Sequence, residues 1–356
     1  MSLPAEAESP TLAFSTCRRR RLPRLQELSL LGIILVLGIV LGYFGWRYAM
    51  PGRPNLFLNP DNLVDGIATP MSVYAIMAVG ATCVIIAGGI DISVGSIFAL
   101  SGLASAAVLQ QLPADASGWV VIPIAAAVPM IVGALCGLIN GVLVVMLRIH
   151  PFIVTLGTMV IFRGIGNVSV REKILPDSRH QLPEVFSHFM RFQIAGQRLM
   201  PMLVMIACVI AGAVYLHLSV AGRKNYAVGG NEEAARFSGI RTGRVKLLVY
   251  TLSGLSAGIA GMVSLGRFSS ISTNTATGYE LMVIAGAVVG GASLLGGRGT
   301  AFGALLGTLV IAIIGNGIFT LQLPEENRSI IVGGAILIAA ALDSRLTARL
   351  RGSGGH

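Results

Sequence analysis

One carboxylate sits where few do. Asp91 lies in Ala87-Gly88-Gly89-Ile90-Asp91-Ile92-Ser93-Val94-Gly95-Ser96, between two isoleucines in an otherwise apolar stretch. Two chemistries fit that spacing. Gly-Gly-x-Asp-x-Ser is a good break between helices, where the carboxylate accepts from free backbone N–H groups at the start of the next one. Equally, an ionisable group inside an apolar run is expensive to bury and marks a point of solute contact or gating. Ser93 and Ser96 fall one helical turn apart, on one face. With Asn140, Asn167 and Asn316 they supply hydroxyls and amides that either line a path for a hydroxylated solute or hydrogen-bond one helix to another.

The other reactive side chains form no constellation. The histidines, at 150, 180, 188, 217 and 356, have no ligand spacing. There is no HExxH and no GxxxxGK[ST] phosphate loop. Cys17, Cys83, Cys136 and Cys208 lie far apart without a CxxC, and three of them sit in apolar runs. They read as small core residues, not disulfide partners or metal ligands. No enzyme chemistry, metal or bound cofactor is expected.

Composition sets the solvent around these groups. The 356 residues are 54% hydrophobic and 12% charged, against about 25% charged in a soluble domain. Mean hydropathy is +0.78. Too few polar residues remain to cover a soluble surface, so lipid is the solvent for much of it. The 45 glycines suit membrane helices, whose backbones approach closely at small residues.

A helix needs about 20 apolar residues to cross the hydrocarbon core. Ten runs qualify or nearly so, at 28–48, 66–87, 93–111, 119–147, 152–169, 199–219, 245–267, 280–295, 300–321 and 328–343. The expected fold is thus an all-α polytopic transmembrane helical bundle of about ten spans, within a range of eight to ten. The eighth run is short, and 119–147 is long enough for a tilted helix or a re-entrant turn. Residues 1–27 read as a disordered, basic cytoplasmic segment carrying Arg18–Arg21, 28–343 as a single membrane domain, and 344–356 as a cytoplasmic tail. The first run is too long for a signal peptide and lacks a cleavage site.

Charge supports that topology. The net charge of +10 would suggest nucleic acid in a soluble protein, but basic residues in a membrane protein mark cytoplasmic loops. With both termini inside, the inner loops hold Arg148, Arg223, Lys224, Arg236, Arg241, Arg244 and Arg298, and the tail holds Arg345, Arg349 and Arg351. The outer loops near 49–65, 112–118, 268–279 and 322–327 hold Arg53 alone, against Asp61, Asp65, Asp115, Glu325 and Glu326. The 170–198 segment fits poorly, with Arg171, Lys173, Arg179, Arg191 and Arg198 against three acids. Either it is a structured outer segment or the span count is off by one nearby, and the first is taken. Arg148 and Arg163 read as flanking or snorkelling residues.

The inner loop 225–241 contains the most specific pattern, Gly229-Gly230-Asn231-Glu232-Glu233-Ala234-Ala235-Arg236-Phe237-Ser238-Gly239-Ile240. Asn231 is a helix cap, and Glu232 and Glu233 suit the positive end of the helix dipole. Ala234, Ala235 and Arg236 are strong helix formers, and Gly239 is a terminator. Such a short helix is marginal in water alone and is expected to dock on something.

Glu233-Ala234-Ala235-x-x-x-Gly239 resembles the EAA loop of ABC importer permeases, and the longer segment resembles its ribose/xylose/galactose-type branch. Gly88–Ser96 is similar to the GGIDLSVGS signature of that branch. Gly290-Gly291-Ala292-Ser293 and Gly296-Gly297-Arg298-Gly299-Thr300, followed by Gly303 and Gly307, resemble its C-terminal half. The resemblance runs from about residue 60 to 343. Phe237 departs from it, a smaller aliphatic residue being expected there.

The resemblance implies a permease that pairs in the membrane with itself or a homologous permease. The helix at Asn231, Glu232, Glu233, Ala234, Ala235, Arg236 and Gly239 would dock on a cytoplasmic ATP-binding subunit, which holds the ATP and magnesium. A periplasmic binding protein would deliver a monosaccharide or similar polyol across the bacterial inner membrane. The competing expectation is an ion-coupled secondary transporter, which would carry acids or bases within spans. Asp91 and Arg163 alone approach that pattern.

Overall fold

The computed structural model describes residues 22–49, 54–177, 179–194 and 196–324, with scattered positions between 327 and 337. Expectations for Arg18–Arg21, Arg53, Glu325, Glu326, the tail and most of the 328–343 run lie outside those residues.

Among the described residues, seven helices are long and apolar enough to cross a membrane. They are α1 (Leu22–Arg47), a π-helical stretch Asn62–Ala68 running straight into α2 (Thr69–Ile86), α4 (Gly118–Leu147), α5 (Pro151–Ser169), α7 (Met200–Leu218), α10 (Thr242–Phe268) and α12 (Ala301–Thr320). Two apolar helices are shorter, α3 (Val94–Leu109) and α11 (Tyr279–Val289). Short helices α6 (Glu184–Met190), α8 (Val220–Gly230) and α9 (Glu232–Phe237) and four two-residue strands complete the described chain.

A helix apolar on every face belongs inside. The Asn62–Ile86 span is such a helix: its apolar window is 89% buried, against 22% for α1 and for α7. The outer helices therefore present the lipid surface. α4 and α10 meet backbone to backbone: a Cβ on Gly133 would meet the Gly254 carbonyl oxygen, and one on Gly258 the Pro129 carbonyl oxygen. That contact uses small residues in place of a hydrophobic drive, which lipid does not supply.

The 119–147 run is one continuous helix through Pro123 and Pro129, so the re-entrant turn is not there. It lies elsewhere. After α10, Ile271 fills the space a Cβ on Gly102 would need, and the Ala276 carbonyl and the Glu280 carboxylate lie beside Gly95 at the start of α3. Residues 271–278 thus run back into the bundle alongside α3, and α11 begins only there. Its 11 residues span about 16 Å, roughly half of a bilayer core. The expected 280–295 helix stops at Val289 because Gly290 and Gly291 follow, Gly291 with φ +98°.

The loops gather at two ends. One holds 87–93, 148–150, α8, α9 and 290–300. At the other, the Glu184 N–H donates to Ala114 (3.3 Å), Arg191 Nε to the Arg267 carbonyl (3.0 Å), and the Ser187 and Ser269 hydroxyls pair at 2.9 Å. Strand β1 (Ile174–Leu175) pairs antiparallel with β4 (Ile271–Ser272), Ile174 opposite Ser272. The 170–198 segment is a structured layer, with Phe186 and Met190 buried.

Candidate coupling surface and buried polar loop

The short helix α9 is built as its residues dictate. Asn231 is extended (φ −161°, ψ 104°), and its side-chain oxygen accepts from the Ala234 N–H at 2.9 Å. At the far end Gly239 takes φ +80°, with the Ile240 N–H on the Ala235 carbonyl and the Gly239 N–H on that of Arg236, both 3.0 Å. This paired pattern closes a helix at a left-handed residue. Ala235 is buried against Val228 and Val245. Glu232, Glu233, Ala234, Arg236 and Phe237 are exposed, Phe237 at 79%. The large ring at 237 is accommodated because it points outward. Lys246 of α10 pairs with Glu232 at 2.7 Å and anchors the first turn. The stretch before Asn231, expected as loop, is helix α8, opened by the Ser219 hydroxyl accepting from the Gly222 N–H at 2.8 Å.

The three patterned segments meet at this end. The Gly297 N–H donates to the Ile86 carbonyl (2.9 Å), and a Cβ on Gly296 or Gly297 would touch the Gly229–Gly230 backbone. Tyr226 donates to the Gly299 carbonyl (2.7 Å), and Asn225 Nδ2 to that of Cys83 (2.9 Å). Thr300 donates to Glu27 of α1 at 2.8 Å.

Asp91 is buried in the same neighbourhood. Its Oδ1 accepts from the Ser93 N–H (3.0 Å) and hydroxyl (2.6 Å), and its Oδ2 from the Ser253 hydroxyl of α10 (2.8 Å). Asn140 Nδ2 of α4 donates to Ser93 Oγ (2.7 Å). Tyr250 donates to the Ile90 carbonyl (3.3 Å), and the Ile92 N–H donates to Thr155 Oγ1 of α5 (3.3 Å). Three helices thus hold the loop, and Asp91, Ser93 and Asn140 come together. Ser96 is buried too, but its hydroxyl is spent on the Ser93 carbonyl (2.7 Å). Asn167 is exposed on α5, away from the cluster. Asn316 pairs reciprocally with Asn62 (2.7 and 3.0 Å), at the wall of a cavity of about 290 Å³ shared with Asp65 and Tyr74.

Sequence reasoning did not find Thr155, Tyr250 or Ser253, because nothing local distinguishes a hydroxyl that reaches a loop 65 to 162 residues away. Arg163, expected to flank a span or snorkel, sits well inside a helix. It lies about 18 Å along α5, half-buried, with Nη1 on the carbonyls of Thr273 and Thr275, both 2.8 Å. It clamps the re-entrant segment.

Membrane-length helices around a buried polar loop, with a capped, outward-facing helix at one end, are the build of a multi-pass membrane protein. The chain belongs to the family described as the permease component of branched-chain amino acid transport systems, matched over residues 63–340. It is similar to the ribose import permease protein of Escherichia coli strain K12, 36% identical over 82% of this chain and 88% of that one. The D-allose transport system permease protein of the same organism is 35% identical (88% and 90%), and the galactose/methyl galactoside import permease protein of Salmonella typhimurium is 33% identical (82% and 89%).

Proposed function

We propose that this chain is the non-catalytic membrane subunit of an ATP-driven importer. It carries a monosaccharide or similar polyhydroxy solute inward across a bacterial inner membrane. The observation that carries this is the exposed, doubly capped α9, packed on α8 and α10 beside the meeting point of the three patterned segments. A six-residue helix presenting Glu233, Arg236 and Phe237 outward is a mechanical contact in search of a partner, since so short a helix gains nothing from standing free.

In this reading its end of the bundle faces the cytoplasm, which Arg148, Arg223, Lys224, Arg236, Arg241, Arg244 and Arg298 there support. α9 docks on a separate ATPase, which holds ATP and magnesium. A periplasmic binding protein delivers the solute, and a second permease completes the pathway. Ribose, D-allose and galactose, named for the relatives, favour a monosaccharide over the branched-chain amino acids of the family description.

The buried, uncharged surroundings of Asp91 favour one other reading, an ion-coupled carrier. One experiment separates the two. Reconstituted in proteoliposomes with candidate ATPases and the binding protein, the chain is expected to take up sugar on ATP addition, and Glu233→Lys to abolish both complex and uptake. Intact complex and uptake in Glu233→Lys, with a proton gradient driving transport, would refute the ATP-driven reading.

A further inference from the structure

The helix that docks and the loop that holds Asp91 are joined by one stripe of α10. Lys246, Tyr250 and Ser253 stand at i, i+4 and i+7, hence on one face, over about 10 Å of helix. Lys246 grips Glu232 of α9 (2.7 Å). Tyr250 donates to the Ile90 carbonyl (3.3 Å), and Ser253 to Asp91 Oδ2 (2.8 Å). Asp91 passes the contact on through Ser93 to Asn140 of α4. We infer that Lys246, Tyr250 and Ser253 are positioning residues that transmit movement of α9 to the Asp91 loop, so that docking at one end resets a polar contact between α3, α4 and α10.

Three features support this over simple packing. First, a cavity of about 350 Å³ lies alongside the stripe, lined by Gly88, Gly89, Asn231, Glu232, Lys246 and Tyr250. It leaves α9 and the loop room to shift relative to each other. Second, the stripe's links are polar and directional, so each depends on the register of donor and acceptor in a way an apolar contact does not. Third, Gly89 admits the Tyr250 hydroxyl: a Cβ there would stand 2.6 Å from it.

The inference rests on the permease reading, and its test separates the two. The complete transporter, with its ATPase and binding protein, is reconstituted and scored for assembly, melting temperature, ATP hydrolysis and sugar uptake per ATP. Tyr250→Phe is expected to assemble, melt and hydrolyse ATP as the parent does; Ser253→Ala should assemble and hydrolyse ATP likewise while melting somewhat lower, because Asp91 Oδ2 loses its donor. Uptake per ATP should fall at least fivefold in each. Lys246→Met should fall likewise, and Lys246→Arg should recover. The double variant Tyr250→Phe/Ser253→Ala should be no worse than the poorer single, because both interrupt one path. Uptake per ATP within twofold of the parent in both single variants overturns the relay, as do losses that multiply in the double variant. Uptake that falls only in step with assembly or melting temperature reduces the stripe to packing and overturns it too. A parent complex without ATP-driven uptake overturns the permease reading, and the relay with it.

Discussion

Gly229, the next-to-last residue of α8, lies against the carbonyl oxygen of Ile86 at the end of α2, leaving no space for a methyl group between them. The same carbonyl accepts from the Gly297 N–H at 2.9 Å. One backbone oxygen is therefore the meeting point of three segments far apart in sequence, and the end of the bundle that carries α9 is registered on it.

Gly229→Ala must separate α8 from α2. Overpacking of this kind costs about 1–3 kcal/mol. The expected result is a lower melting temperature in detergent and loss of ATPase co-purification. Gly230→Ala is the control, since a Cβ there meets nothing within 4 Å, and its melting temperature should stay close to the parent's.

Helix α9 should loosen without unfolding the bundle. Asn231→Ala removes the cap on Ala234, worth about 1 kcal/mol. Gly239→Ala forces a side chain into a φ of +80°, at about 1–2 kcal/mol. Both should speed amide hydrogen exchange across 232–238 while the global melting temperature barely moves, and weaken ATPase binding up to roughly tenfold. Phe237→Ala should leave the exchange unchanged, because the ring is exposed, and still weaken binding.

These tests fall on residues whose roles were legible to different degrees. Asn231 and Gly239 carry local signals, a cap and a terminator, and the structure uses both in place. The apolar runs likewise specify helices, since periodicity is not needed where every face is buried or lipid-bound. Tertiary geometry was not legible. Glu280 opens an apolar run and suggested a helix starting at the membrane edge, yet α11 starts beside Gly95 because 271–278 first descends into the bundle. Asn140 and Asn167 looked alike in sequence. Only the fold turns one toward Ser93 and leaves the other exposed.

Asp91 separates its two chemistries by substitution. Asp91→Ala strands the Ser93 N–H and the Ser93 and Ser253 hydroxyls, each at about 1–3 kcal/mol when buried without a partner. It should lower the melting temperature and the yield of folded protein. Asp91→Asn keeps one acceptor oxygen, and the Ser253 hydroxyl can turn to accept from the new amide. It should fold and assemble. Sugar uptake by Asp91→Asn then decides the role: normal uptake assigns the carboxylate to capping, and lost uptake in an assembled transporter assigns its charge to gating.

Arg163 offers the sharpest test of the re-entrant segment. Its guanidinium holds the carbonyls of Thr273 and Thr275, which lie in a run of turns and not in a regular helix whose next turn could satisfy them. Charged hydrogen bonds of this kind are worth about 1.5–3 kcal/mol. Arg163→Met should therefore free residues 271–278 from α5 while β1 still holds Ile271 and Ser272. A cysteine in place of the buried Thr273 should react with a water-soluble maleimide several-fold faster in the Arg163→Met background than in the parent. Arg163→Lys, able to reach one carbonyl at a time, should fall between. Equal labelling in all three backgrounds would mean that the loop is held by its strand pairing and not by the clamp.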